Sequence, residues 1–224
     1  MPELAQSCIA SWHEHMPDWE YKLWNEDNFD VNQIPYTKEA YAAKKYAFVS
    51  DYVRLWALEN EGGIYLDTDV EVFKSFEDLL VLNAFAGFEG SKFLPLGTCV
   101  MASVAHGAWV KEQLDSYHDR HFMKGDGSLD MTTNVQIITA KMKDNGFVQN
   151  GKEQDYKDLH IFPVDYFCPR QTTGEYIRTE HTYCDHLGIG SWSESIGGWK
   201  SIVRKLVGQR GMIYLIKLKR KVFG

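Results

Sequence analysis

One short stretch, GGIYLDTDVEVF at residues 62–73, constrains the fold of this chain more than any other. A glycine pair followed by apolar, β-branched and aromatic residues predicts a buried strand, yet this strand carries two carboxylates, Asp67 and Asp69. Side chains two residues apart in a strand point to the same face. Two like charges on one buried face repel each other and lose hydration. The sequence therefore predicts a divalent cation beside them.

The helix predicted before this strand carries a charged pair of its own. Residues 36–60 predict one long helix that ends at the glycine pair, and within it Asp51 and Arg54 lie three residues apart, on one face. The helix is apolar nearly all round, which predicts burial. An internal salt bridge is the simpler interpretation of the pair. Read together with the two carboxylates after the turn, the charges indicate a site where a divalent cation binds phosphate oxygens.

The remaining pattern predicts an α/β fold with a mixed, mostly parallel sheet, because strands alternate with helices. Further helices are predicted at residues 2–16, 107–119 and 133–144, strands at 84–89, 97–103 and 159–167, and a short strand with a polar loop at 19–29.

Length and charge suggest one catalytic-sized domain, residues 1–199, and a basic amphipathic tail, residues 200–224. The tail holds eight basic residues and no acidic one, so the domain holds the remaining 16 Lys and Arg and all 31 Asp and Glu. This acidic body argues against nucleic-acid binding, while the tail favours peripheral contact with an anionic membrane. A solvated terminal helix docked on the domain is the alternative.

Cysteine usage and hydropathy predict a cytoplasmic protein, peripheral at the inner face of the cell membrane. The sequence shows no membrane-length apolar run and no signal-peptide pattern. Its four cysteines (Cys8, Cys99, Cys168 and Cys184) are widely spaced, which favours reduced packing thiols over a disulfide framework or a zinc site.

The segment SDYVRLWALENEGGIYLDTDVEVF, residues 50–73, resembles the DXD sugar-binding region of family 32 glycosyltransferases. This group includes bacterial capsular and surface polysaccharide transferases, and the catalytic domains of clostridial glucosylating toxins are distantly similar. The resemblance continues through NEDNFDVN, TTNVQI, FPVDYFCP and HLGIGSW. It implies a GT-A type domain that transfers a sugar, with retention, from a nucleotide-sugar to a saccharide acceptor. A UDP-sugar is the expected donor, and a lipid-linked saccharide, which the basic tail favours, is one form that the acceptor can take.

The resemblance also implies roles for residues of the motif. Asp51 and Arg54 would hold the donor sugar hydroxyls and the diphosphate, and Tyr65 would pack and hydrogen-bond there. Asp67 would contact ribose or sugar and reach Mn²⁺ or Mg²⁺ through water, whereas Asp69 would ligate the ion directly. Asp51, Arg54, Asp67 and Asp69 are the candidate catalytic residues.

The implied site is completed by four further residues, all of which come later in the chain. His186 is the candidate third metal ligand, with His181 as a competitor, Ser191 a phosphate contact, and Trp192 an aromatic lid or a core residue. Asn134 is either the N-cap of a helix or, as the weaker interpretation, a substrate contact.

Members of this family usually begin with a strand at the nucleotide edge of the sheet, whereas this sequence starts in the first helix, at MPELAQSC. We therefore expect a sheet without the usual first strand, weak UDP binding, and a homodimer formed through the exposed edge. Two other functions remain open on the sequence: a haloacid-dehalogenase-type phosphatase, whose first motif is also Asp-x-Asp after a strand, and a catalytically impaired scaffold.

Overall fold

The computed structural model describes residues 3–90, 95–170 and 173–188. The tail at residues 200–224 and the predicted site residues Ser191 and Trp192 lie outside these ranges, and the division at residue 199 stays a prediction. Among the described residues, no helix is long and apolar enough to cross a membrane.

Helices and strands alternate along the described part of the chain. The elements are α1 (Glu3–His15), α2 (Pro35–Ala42), α3 (Tyr46–Glu61), β1 (Gly63–Leu66), β2 (Val70–Val72), a 3₁₀ helix (Glu77–Leu79), β3 (Ala84–Phe88), β4 (Leu96–Ser103), α4 (Ala108–Asp115), α5 (Asn134–Lys143), β5 (Gln154–Tyr156), β6 (Leu159–Phe162), α6 (Val164–Phe167) and β7 (Cys184–His186).

The strands form a mixed five-stranded sheet of order β1-β4-β3-β6-β5 and an antiparallel ribbon of β2 and β7. This confirms the predicted α/β fold with a mixed sheet. The expectation of a mostly parallel sheet is wrong in detail, because in the five-stranded sheet β3 and β6 alone pair in parallel. The links between β3 and β4 and between β5 and β6 are too short for the crossover that parallel neighbours require.

Apolar side chains cover both faces of the five-stranded sheet. Along β3, Ala84, Ala86 and Phe88 join one buried cluster, which α2, α3, α4 and α5 complete, and Phe85 joins the other. The second cluster includes residues of the ribbon, against which α1 packs: the Val72 amide donates to the Ser11 hydroxyl at 2.9 Å. The chain therefore passes from sheet to ribbon between β1 and β2.

The strand predicted at residues 62–73 is two strands in two sheets. Between them Asp67, Thr68 and Asp69 form a turn, closed by a hydrogen bond from the Val70 amide to the Asp67 carbonyl at 3.0 Å. The prediction that Asp67 and Asp69 share a face of one strand is therefore wrong. The chain turns because β2 pairs with β7 instead of continuing beside β4.

Local breaks account for other differences from the predicted elements. The helix predicted at 36–60 is interrupted at Lys44, whose φ is +57°, and so forms α2 and α3. The strand predicted at 159–167 stops before Pro163, because proline has no amide hydrogen for the ladder, and continues as α6. The short strand predicted within 19–29 is not formed, α4 is shorter than predicted, and β5 and β7 are additional.

Gly62, at the end of α3, occupies a position that excludes a side chain. Its φ is +71°, and a Cβ there would lie 2.8 Å from the Ala105 nitrogen, whereas Gly63, with φ +105°, has open space. We expect Gly62→Ala to lower the free energy of unfolding by about 2–3 kcal/mol, through strain and clash together, and Gly63→Ala by about 1 kcal/mol. Urea unfolding measures both, and equal losses would contradict the role of the close approach.

Candidate functional site

The guanidinium of Arg54 supplies a positive charge beside the carboxylates. Arg54 lies on α3 and is 6% exposed. Its Nη1 donates to Asp67 Oδ1 at 3.2 Å and to the Thr98 carbonyl at 2.9 Å, and its Nη2 donates to Asp51 Oδ1 at 3.1 Å. Its Nε donates to the Ser50 carbonyl at 3.3 Å. One buried cation thus bridges a carboxylate of the helix and a carboxylate of the turn.

Asp51 is held from its other side by the start of α5. The Asn134 amide donates to Asp51 Oδ2 at 3.2 Å, and the Asn134 side chain donates to the Asp51 carbonyl at 3.2 Å. Burial raises the pKa of the Asp51 carboxyl, while Arg54 and the Asn134 amide oppose that rise. Asp51 therefore depends on these two partners to stay ionised in its buried position.

Asn134 is not the N-cap of α5. That position belongs to Thr133, whose side chain accepts from the Gln136 amide in a capping box. Asn134 is 1% exposed and anchors Asp51. Its contact with substrate remains a prediction.

Tyr65 fixes Asp67 from within β1. The Tyr65 hydroxyl donates to Asp67 Oδ1 at 2.6 Å, and the Arg54 Cζ lies 4.6 Å from the centre of the Tyr65 ring. Burial raises the pKa of Tyr65 well above its ordinary value, so the phenol is a neutral donor. Both hydrogen bonds to Asp67 use Oδ1, so among the described residues Oδ2 keeps its lone pairs for a ligand.

Pairing between β2 and β7 brings His186 to the turn, because His186 lies opposite Val70 in the ribbon. His186 Nε2 is 3.4 Å from Asp69 Oδ1, and donor atoms of Asp67, Asp69 and His186 all lie within 4.8 Å of one another. The competitor His181 stacks on Tyr166 instead, with ring centres 5.4 Å apart. The three donors can surround one divalent cation, although their roles as ligands remain predictions.

The surroundings of His186 favour its charged form in the absence of an ion. Burial lowers the pKa of His186, but Cys99 and Asp69 raise it more, to about 12. The imidazolium is then the counter-charge of Asp69. A metal bound by His186 must displace this proton, so metal affinity should increase with pH.

The structure therefore brings together all the predicted site residues that it describes. Arg54 links Asp51, Asp67 and Tyr65, Asn134 supports Asp51, and His186 joins through Asp69. Sequence reasoning missed the Thr98 carbonyl, which carries no side-chain signal, and Ser50. The spacing of Ser50, one helical turn before Arg54, was the available signal for it.

Comparison with known proteins finds partial similarity in sequence and in structure. Over 124 residues the chain is 30% identical to glucan organizing enzyme 1 of Cryptococcus neoformans var. grubii serotype A, a match that covers 51% of this chain and 34% of that protein. The chain thus spans about a third of that relative's length. The solved structure of PaToxG glycosyltransferase superposes with a TM-score of 0.48 at 16% identity, covering 65% of each chain.

A family profile matches the part of the chain that contains most of the candidate site. Residues 2–86 match the glycosyltransferase sugar-binding region containing the DXD motif. The DXD carboxylates of this match are Asp67 and Asp69, and the match also includes Asp51, Arg54 and Tyr65. Residues 2–86 of this chain are therefore similar to the DXD sugar-binding region of glycosyltransferases.

Proposed function

We propose that this protein is a retaining glycosyltransferase that uses a divalent cation to transfer a sugar from a nucleotide-sugar to a saccharide acceptor. The observation that carries the proposal is the group of Asp67, Asp69 and His186 donors within 4.8 Å of one another, two of them the carboxylates of the matched DXD motif. The buried Arg54 beside them supplies a fixed positive charge for an anionic ligand.

The donor set fits a hard divalent cation, Mn²⁺ or Mg²⁺. Asp67 Oδ2, Asp69 and His186 would hold it, since carboxylate oxygens and one imidazole are ligands that such ions accept. When bound, the ion would supply positive charge to the phosphate oxygens of the leaving diphosphate. In the proposed GT-A type architecture such a site would lie beside the nucleotide.

The residues of the chain would orient the donor and stabilise developing charge. Asp51 would accept hydrogen bonds from sugar hydroxyls, because Arg54 and Asn134 hold its carboxylate in place. Arg54 would stabilise the departing diphosphate as the anomeric carbon gains positive charge. In a retaining transfer the acceptor hydroxyl attacks from the side of the leaving group. The departing phosphate oxygen then takes its proton, and the reaction needs no separate base.

The finer features of the proposal come from the resemblance and from the charge pattern. The resemblance to family 32 members favours UDP as the nucleotide and surface or capsular polysaccharide synthesis in a bacterium as the setting. The basic residues from Lys200 onward favour a lipid-linked acceptor at the inner face of the membrane. We expect the full chain to co-sediment with anionic vesicles and not with neutral ones. Equal binding to both kinds, or binding to neither, would contradict membrane contact through these basic residues.

A donor screen tests the proposed function directly. We expect the full chain with Mn²⁺ to release free sugar from at least one of UDP-glucose, UDP-galactose, their N-acetyl forms or GDP-mannose, and EDTA to abolish the release. A phosphatase would instead release phosphate from a simple phosphoester, and a scaffold would release nothing. Either of these results would refute the proposed transfer.

A further inference from the structure

A second group of side chains that can bind a metal also includes His186. Glu89, Cys99, Cys168 and His186 each offer one donor atom, and these four atoms lie within 4.8 Å of one another. The two thiols are buried, and their sulfur atoms are 3.3 Å apart. The proposed sugar-transfer reaction uses neither thiol.

Four separate segments build this group. Cys99 lies in β4, the second strand of the sheet, and Glu89 directly follows β3, the neighbouring strand. Cys168 directly follows α6, and His186 ends β7 in the ribbon. Because long-range pairings fix each segment, the convergence of two sulfurs, one nitrogen and one carboxylate is set by the fold. It does not come from a local sequence motif, since no two of these residues are close in sequence.

Distances in the group are close to those of a tetrahedral zinc site. With Zn–S bonds of about 2.3 Å and Zn–N and Zn–O bonds of about 2.0–2.2 Å, the ligand atoms of a tetrahedron lie about 3.3–3.8 Å apart. The sulfur–sulfur separation of 3.3 Å is near that range, and the outer limit of 4.8 Å requires side-chain shifts of about 1 Å. Rotation about side-chain bonds supplies such shifts without movement of the backbone.

We propose that Glu89, Cys99, Cys168 and His186 form a binding site for Zn²⁺, separate from the Asp67–Asp69 carboxylates. The two sites should prefer different metals, because their ligands differ in softness. Thiolates select zinc, while carboxylates favour Mg²⁺ and Mn²⁺. In this proposal two of the free, buried thiols, which the sequence predicts as packing residues, also bind the ion. His186 belongs to both groups. Its Nε2 lies 3.4 Å from Asp69 Oδ1, and it is also one of the four proposed zinc ligands.

Both proposed sites use His186, so zinc binding should affect cation binding at Asp67 and Asp69. An imidazole that binds zinc through one nitrogen keeps a proton on the other, so it cannot also ligate Mn²⁺, and zinc should weaken Mn²⁺ binding at the carboxylates. This consequence alone rests on the proposed function. The zinc site itself can be tested without any sugar substrate.

Cobalt titration of the reduced full chain tests the zinc site, since Co²⁺ takes the place of Zn²⁺ and absorbs light. We expect one equivalent of Co²⁺ to produce a thiolate-to-cobalt charge-transfer band that one equivalent of Zn²⁺ removes. Cys99→Ser and Cys168→Ser should lose the band and weaken Co²⁺ binding by roughly 100-fold or more, since loss of a direct ligand exceeds the 10–100-fold cost of an outer partner. Cys8→Ser is the matched control, a buried thiol outside the group, and should keep the band.

X-ray absorption of the zinc-loaded wild-type protein needs no variant and so guards against misfolding of the serine substitutions. It should report two sulfur neighbours per zinc. Absence of the band in the wild type, its survival in both Cys99→Ser and Cys168→Ser, or a zinc shell without sulfur would each overturn the proposal. The proposal would also be overturned if the protein were isolated with a Cys99–Cys168 disulfide and bound no Co²⁺ after that disulfide was reduced.

Discussion

Replacement of Asp69 by Asn is expected to reduce sugar transfer by about 100- to 1,000-fold, the range seen when one preorganised electrostatic contact is removed from an active site. The amide keeps the shape of the side chain but removes a negative charge from the proposed cation site. It also removes the charged partner of His186, at 3.4 Å. Because the change relieves repulsion with Asp67 but leaves His186 without its counter-charge, the melting temperature should change little or fall slightly. Mn²⁺-dependent release of sugar and thermal unfolding measure the two effects.

Asp155→Asn is the matched control, because Asp155 also pairs with a histidine, His160, at 2.6 Å, but in an exposed position away from the DXD turn. It should leave sugar release unchanged. Wild-type turnover in Asp69→Asn would show that the metal assignment is wrong. A loss of stability as large as that of Leu55→Ala, about 2–5 kcal/mol, would indicate a structural role for Asp69 instead.

Elements set by local pattern were predicted well from the sequence. Helix α1, strands β3 and β4, and helix α5 lie within a residue or two of their predicted bounds. In each of them, apolar periodicity or apolar content agrees with the final burial. Helix α5 also carries its own start signal, the Thr133–Gln136 capping box.

The DXD turn was not predicted, because nothing local distinguishes it from a continuous strand. Val70 and Val72 continue the apolar alternation of β1, yet they pair with residues 184–186, more than a hundred positions later. A sequence pattern reports the preference of a segment for a strand but not the choice of its partner. The break between α2 and α3 also has no local signal. The apolar pattern runs on across Lys44, whose positive φ interrupts the helix, and so a single helix was predicted there.

In the candidate site, too, local spacing predicts some residues, while others are placed by long-range contacts. Spacing within residues 50–69 identified Asp51, Arg54, Asp67 and Asp69, since a helix turn and a tight link keep these residues near one another. His186 was found through resemblance, and its place beside Asp69 depends on the long-range ribbon of β2 and β7. The approach of Cys99 to Cys168 has no local signal, because it depends on packing of the residue after α6 against the sheet.

The largest effect on stability is expected from Arg54→Met, at about 3–5 kcal/mol of lost unfolding free energy. The side chain of Arg54 is 7% exposed and pairs with Asp51 and Asp67. Methionine fills much of the volume but leaves both carboxylates without their cation and the Thr98 carbonyl without its donor. Removal of one partner from a buried ion pair costs more than the pair contributes, because the remaining charge stays buried. Urea unfolding measures the loss.

Two further variants separate this uncompensated charge from a simple loss of packing. Lys22→Met removes an exposed ion pair with Glu61, whose side chains are 44% and 45% exposed, and should cost less than about 1 kcal/mol. Adding Asp51→Asn to Arg54→Met should recover about 0.5–3 kcal/mol, because one of the two orphaned carboxylates is then neutral. Additive losses in the double variant would mean that Arg54 stabilises the fold through packing, and that the buried charges of Asp51 and Asp67 do not depend on it.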